Sequence, residues 1–370
     1  MRREGVTDLV LLGEQRFYQK IAVAIAQRTG ITVTVTDFGY LRPDWITLEL
    51  DGMSGESRFP RDLKVIRELA KDVEMPDQKA LYVDSFERQA VWDIGFHLSN
   101  ALFNLFSFPH YRSYLLYHPI PAYLGTGLRL ILRRRRHFDA EALIDRLQTE
   151  GTPYFVLPMQ MENDFQLRAY SPYPDMVAPI RQAIRSLAGH GPKGAHLVVK
   201  IHPLDPGLRR WPRIIAAEAK AAGMEDRVHF IDGGSLDRLL STTLGVITVN
   251  STVGIWGLRA GKPVIVLGSA VFNIDGLTFQ GGLDRFWTEC RAPVQNDVDA
   301  FIKALAKTIQ IRGVYYNQPG LSAGVANAVE RLDRGDAGTT AVRLANTNAA
   351  PPRRQAASAA PVTTALRQKP

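Results

Sequence analysis

Residues 196–268 constrain the chain more than any other stretch. They hold three apolar runs of strand character, His196–Ile201, Gly245–Val249 and Pro263–Leu267. The first stops at His202-Pro203, the second at Asn250-Ser251-Thr252. A serine or threonine at a strand end is a good helix cap, because its oxygen accepts from a free first-turn amide. Gly261, with Pro263 two residues on, is the matching stop, since glycine adopts the left-handed turn and proline cannot continue a helix. The segment therefore predicts strand, turn, helix, turn, strand within a parallel sheet. In such sheets ligands sit beyond the carboxyl ends of the strands. A helix start adds unpaired amides and a positive dipole end, which together attract anions. A phosphate-bearing ligand is expected between His202 and Asn250–Thr252, with Gly254 beside it. Lys200 either adds charge there or points away.

At 370 residues the chain can form two domains and a tail. The single cysteine, Cys290, excludes an internal disulfide framework and fits a reducing compartment. No run of 18 or so uncharged apolar residues exists to span a membrane. The opening MRREGVTDLVLLGEQRF has acidic residues within its short apolar segment and makes a poor signal peptide. A cytoplasmic protein, peripheral on a membrane, is expected. The net charge of +8 is uneven. Residues 335–370 carry a net +4, and Arg133, Arg134, Arg135 and Arg136 form a second basic block.

Residues 6–12 and 31–36 read as strands around the helical stretch 14–28, a βαβ unit. A turn-rich aromatic loop, 37–45, follows directly after a strand, a position that often carries binding residues. Asp37, Tyr40 and Arg42 are its candidates; the alternative is a surface loop tucking Tyr40 and Trp45 into the core. Residues 84–117 are helical, with an aromatic stripe at core spacing. The segment 123–136, YLGTGLRLILRRRR, suits a helix lying on an anionic bilayer, or else a solvated helix end. A second lobe opens at Gly151, with the strand Tyr154–Leu157 followed by Gln160, Glu162, Asn163, Asp164 and Gln166. Strands and helices then alternate through the 196–268 unit, the pattern of a doubly wound parallel sheet. A helix over 297–311 closes the lobe. After Arg334 the composition turns Ala/Thr/Pro-rich, and residues 335–370 are expected to form a disordered basic tail. The expected division is 1–150, 151–318 and 335–370.

Two α/β lobes with polar strand ends facing each other are the plan of a GT-B glycosyltransferase, although fold alone does not give function. Six strings in order, DFGYLRPDWITLE (37–49), LPMQMENDFQL (157–167), KIHP (200–203), NSTVG (250–254), GKPVIVLG (261–268) and GGLDRFW (281–287), resemble the KpsS/LipB family of bacterial capsule polysaccharide proteins. The similarity covers about residues 6–318. It implies a GT-B glycosyltransferase of capsule assembly, similar to the β-Kdo transferases. These move Kdo from CMP-Kdo onto a lysophosphatidylglycerol-type acceptor at the inner membrane. It implies no cofactor beyond the CMP-sugar donor, and other capsule assembly proteins as partners.

The residue chemistry agrees. A CMP-sugar leaves as a phosphate monoester, with no diphosphate for a metal to clamp; Asp297-Val-Asp299 reads as a helix cap, and no metal site is expected. His202 and the helix start at Ser251/Thr252 would meet the growing charge on the phosphate. The acceptor needs a base. Asp164 comes first, matching the acid of the family's Q-x-x-x-D string that begins at Gln160, and Glu162 second. Where many NDP-sugar enzymes carry a ribose-binding glutamate, this chain has Trp256, which cannot accept hydroxyl bonds. Relatives usually start with a further βα unit before the equivalent of Val6, so the first lobe is expected to lack one. Two other readings remain open: a non-catalytic export or scaffolding subunit, and an NDP-sugar transferase or epimerase of the same fold. Basic blocks without interleaved aromatics make a nucleic-acid partner improbable.

Overall fold

The computed structural model describes residues 1–77, 79–111 and 116–338, apart from the side chains of Arg2, Phe86, Ala101, Leu105 and Arg133. The expected tail lies almost wholly outside them. In chain order the elements are β1 (Asp8–Leu12), α1 (Phe17–Arg28), β2 (Thr32–Phe38), β3 (Trp45–Leu50), α2 (Leu63–Ala70), α3 (Phe86–Ser107) and α4 (Pro119–Thr149). They continue with β4 (Tyr154–Pro158), α5 (Phe165–Tyr170), α6 (Val177–His190), β5 (His196–Lys200), α7 (Trp211–Ala221), β6 (Val228–Ile231) and α8 (Leu236–Thr242). The remainder are β7 (Gly245–Thr248), α9 (Val253–Arg259), β8 (Val264–Val266), α10 (Leu283–Glu289), α11 (Gln295–Thr308), β9 (Gln310–Arg312) and α12 (Gly320–Asp333).

The second sheet has the order β6-β5-β4-β7-β8, every pair parallel. Its strands are near-continuous apolar runs because both faces are covered. Phe155, Leu197, Val199 and Ile247 face α6, α7 and α10, while Tyr154, Val156 and Val198 face Ala140, Ile144 and Leu147 of α4. The chain enters at β4, builds outward to β6, then crosses to β7 and β8. That reversal is the switch point at which a crevice opens beyond the carboxyl ends of β4 and β7.

The first sheet is mixed. Its order is β1-β2-β3-β9, with β1 parallel to β2 and the other pairs antiparallel. The expected βαβ unit is present, but β3 was not foreseen, nor was β9. Residues 310–312 pair with β3, and α11 packs on α2, so the expected segment 151–318 makes contacts with the first sheet as well. The carboxyl-terminal chain runs back because β3, buried on both faces, needs a partner on its open edge. Ala337 is buried against Ile46, Leu48 and Ile311, so the packed structure continues past 335.

One apolar core joins the lobes: Val33, Val35 and Ile66 of the first meet Ile255 and Leu258 of α9 through Phe301 and Leu305 of α11. Polar ties flank it. Arg67 binds Asp297 at 2.6 and 3.0 Å, which identifies that aspartate as an ion-pair partner rather than a simple cap. Arg61 donates to the carbonyls of Ala270 and Val271. Glu14, just past β1 and 3% exposed, accepts from the Tyr170 hydroxyl of α5, and Gln15 donates to the same oxygen at 3.0 Å.

Burial lifts Glu14 from 4.5 to about 7 and Glu49 to about 8. A carboxyl whose folded pKa exceeds its unfolded value holds its proton better in the native state. Its contribution to stability is therefore complete on the acid side and lost as pH rises, from about 4.5 up to about 7 for Glu14. Glu14→Gln removes this loss. Its melting temperature relative to the wild type should rise by a few degrees between pH 5 and pH 8, measured by circular dichroism; a constant difference would contradict the assignment.

Candidate active site

The crevice at the switch point is closed at its base by an amide pair. Gln160, two residues past β4, donates from Nε2 to Asn250 Oδ1 at 2.7 Å, and its Oε1 accepts from the Asn250 amide at 3.1 Å. Asn250 Nδ2 in turn donates to the carbonyls of Gln166 (2.7 Å) and Tyr170 (3.3 Å). The two side chains, expected to touch a donor, bond each other, and Gln160 also reaches Asp164. They fix the ends of β4 and β7 and hold α5 across them.

Asp164 caps α5, accepting from the Gln166 amide at 2.9 Å. Burial raises its pKa and the nearby Asp37 adds to this, while the Gln166 amide and Arg42 pull it down. Asp37 is likewise raised by burial, and Arg16 and Arg42 oppose the rise. Arg42 thus stands between a carboxylate of each lobe. Its side chain is open to solvent by area yet surrounded on most sides, as expected of a group lining a water-filled cleft. Beside Asp164, Asn163 Oδ1 and Gln166 Oε1 are buried without a hydrogen-bond partner. Unpaired buried acceptors are rare and call for a polar ligand.

His202 follows β5. Its Nδ1 accepts from the Leu204 amide at 3.1 Å, which leaves Nε2 as the protonated, donating nitrogen. Burial, followed by the charges of Arg42, Arg129 and Lys200, lowers its pKa to about 4. The ring is therefore neutral near pH 7 and acts as a hydrogen-bond donor in a positive field. The strand order puts β4 between β5 and β7, so His202 and the Ser251–Thr252 turn are separated by two strand spacings, roughly 10 Å.

The helix start offers less than the sequence promised. The Ser251 amide is taken by Thr248 Oγ1, and those of Gly254 and Ile255 by Ser251 and Thr252 carbonyls. Ser251 Oγ accepts from Val253 at 3.3 Å. Thr252, half-buried, retains its hydroxyl at the crevice edge. Gly254 is a packing position, since a Cβ there would lie 2.4 Å from the Phe272 ring.

Most of the remaining candidates turn to other partners, and for Lys200 and Tyr40 the alternative reading holds. Lys200 Nζ is turned to the carbonyls of Gly233 and Gly234, away from the crevice. Glu162 is buried, paired with Arg209 at 2.8 Å and hydrogen-bonded by Tyr117. Tyr40 is core: its hydroxyl donates to Glu49 at 2.9 Å and accepts from the Ser54 amide. Of the arginine block, Arg136 binds Asp232 at 2.7 Å, Arg134 and Arg135 are exposed, and the side chain of Arg133 lies outside the described residues. Arg129, one turn before the arginine block, joins Arg136 on Asp232 at 2.5 Å and fastens α4 to the second lobe. Also unforeseen is Tyr315, whose hydroxyl lies 2.6 Å from Thr36 Oγ1 beside Asp37 and Arg42. The only signal for Glu14 was its place just past a strand end.

A family model described as "Capsule polysaccharide biosynthesis protein" matches residues 7–316. The chain belongs to that family. The match spans both sheets and every cleft residue from Glu14 to Tyr315. The Escherichia coli protein named capsule polysaccharide export protein KpsS is 32% identical over 331 residues, 85% of this chain and 80% of that one. The Neisseria meningitidis serogroup A capsule polysaccharide modification protein LipB is 30% identical over 322 residues, with 85% and 75% covered. Among solved structures, the Thermosulfurimonas dismutans KpsC β-Kdo 2,7 transferase matches 89% of this chain and 86% of its own with a TM-score of 0.44 and 16% identity, a distant likeness.

The cross-lobe electrostatics are directly measurable. Replacing Arg42 by Gln removes a cation facing His202 and should raise the imidazole pKa from about 4 toward 6.5, read by NMR titration of the ring. No change would mean that the lobes do not meet there. Gly254→Ala should cost about 1–3 kcal/mol through overpacking, seen in chemical denaturation.

Proposed function

We propose that the protein is a glycosyltransferase of capsule polysaccharide assembly that transfers Kdo from CMP-Kdo to a lysophosphatidylglycerol-type acceptor. The observation that carries the reading is the convergence of Asp164 and His202 from the second lobe with Asp37 and Arg42 from the first. Family membership and the six ordered sequence strings support it.

In this reading the donor's phosphate lies at the His202 side of the cleft and the acceptor hydroxyl at the Asp164 side. Asp164 accepts the hydroxyl proton as the oxygen attacks the anomeric carbon of Kdo, and the bond from that carbon to the cytidylate oxygen breaks. A carboxylate with a raised pKa is a better base near neutral pH than an exposed one. The Nε2–H of His202 and the Thr252 hydroxyl meet the charge that grows on the departing phosphate. The neutral imidazole donates without becoming an ion-pair trap for the product. Arg42, between the lobes, holds an anionic group of donor or acceptor, and Asp37 fixes the guanidinium. Asn163 and Gln166 accept from sugar hydroxyls. The enzyme works in the cytoplasm beside the inner membrane.

The test is release of CMP from CMP-Kdo in the presence of lysophosphatidylglycerol. Asp164→Asn should lower kcat by roughly 10²–10⁴-fold, and His202→Ala by about 10²-fold. Glu162→Gln and Tyr40→Phe should reduce melting temperature more than rate. CMP should stabilise the fold against heat by mass action where UDP and GDP do not. Stabilisation by UDP alone would favour an NDP-sugar enzyme, and CMP binding without turnover would favour the scaffolding role.

A further inference from the structure

Helix α3 turns its polarity inward. Asp93, His97, Asn100 and Asn104 recur at spacings of four, three and four, and so form one stripe along its 22 residues. Two of the four reach α4: Asp93, 52% exposed, accepts from the Tyr123 hydroxyl at 2.7 Å, and the His97 ring, 7% exposed, lies 6.5 Å from the Tyr123 ring. The apolar residues point the other way. Val91, Trp92, Phe96, Leu102, Phe103 and Phe106 are 48–83% exposed. With Ile94 and Leu98 they cover an arc of roughly 200° at 100° per residue. The aromatic stripe expected to be core is therefore the outer surface.

Helix α4 continues this surface. Its first half carries Ile120, Leu124, Leu128 and Ile131 at spacings of four, four and three, each 58–79% exposed. The opposite side is pinned to the second lobe: Gly125 packs so closely on Pro206 that a Cβ would lie 2.1 Å from its carbonyl oxygen, and Arg129 and Arg136 hold Asp232. Arg134 and Arg135 fall three and four residues past Ile131, on the apolar side. Both are exposed and, among the described residues, form no ion pair. Exposed apolar surface of this extent marks an interaction site. Among the described residues no helix is long and apolar enough to cross a membrane, and Asp93 and His97 of α3 meet Tyr123 of α4.

We propose that α3 and the first half of α4 form a hairpin that lies in the surface layer of an anionic bilayer. Its apolar arcs enter the acyl boundary, and Arg134 and Arg135 sit at the level of the lipid phosphates. A second copy of the chain fits less well, since it would bring the same apolar and basic surface and no anionic layer to meet Arg134 and Arg135. The inference deepens the reading above, in which the acceptor is a lipid, and relocates the docking surface from the arginine run to α3.

The experiment is co-sedimentation of the full chain with vesicles of phosphatidylcholine alone and of phosphatidylcholine with phosphatidylglycerol. The wild type should bind the anionic vesicles. Phe103→Glu with Phe106→Glu should weaken binding by roughly tenfold or more, with the melting temperature in lipid-free buffer unchanged because these rings are already in water. Arg134→Glu with Arg135→Glu should abolish the preference for anionic lipid. The proposal is overturned if the wild type ignores vesicles, or if the double phenylalanine variant binds as well as the wild type. It is equally overturned if that variant turns a dimer into a monomer, by light scattering, without changing vesicle binding. Stabilisation by CMP is measured on the same variants. It should survive in all of them, so failure of docking and failure of the nucleotide reading are told apart.

Discussion

Everything at the cleft hangs on two amides. Gln160 and Asn250 are the first polar side chains past the central strands on either side of the topological reversal, and they satisfy each other in a buried setting where a lone amide would be costly. The spare hydrogens of Asn250 then capture two carbonyls of α5. Through this one residue the sheet dictates where α5 begins, hence where Asp164 stands, and where α5 ends, hence where Tyr170 meets Glu14. The carboxylate and the fastening between the lobes are two ends of the same short helix.

The charges across the cleft are graded. On the His202 side lie Arg129, Lys200 and Arg42, and on the Asp164 side a second carboxylate, Asp37. Arg42 sits where the two fields meet. The neutrality of His202 comes first from its burial, and the three cations around it add to the cost of a proton.

The second lobe was legible in the sequence nearly strand for strand, since each of its strands is a buried apolar run bounded by its own cap or glycine. The positions of Asp164 and His202 just past β4 and β5 were readable for the same reason, since each follows a buried apolar run. The roles of Lys200, Glu162 and Tyr40 were not. Each depends on a partner far along the chain, Gly233, Arg209 and Glu49 respectively, and local pattern carries no trace of that pairing. The same holds for α3. Aromatics at helical spacing say that one face is apolar, but not whether that face looks inward. Only the hydrogen bond from Tyr123 to Asp93 decides the direction. The strand β9 was missed because three residues are too few for a period.

That short strand has a consequence for how the molecule comes into being. Gln310 reaches back to accept from the Tyr40 amide at 2.7 Å, and its Nε2 donates to Thr47. The amino-terminal half therefore lacks an edge strand, and the loop bearing Arg42 lacks its brace, until the ribosome has passed residue 312. Vectorial synthesis lets the later-made lobe close around its own parallel strands first, and the half translated earliest is the last to be finished.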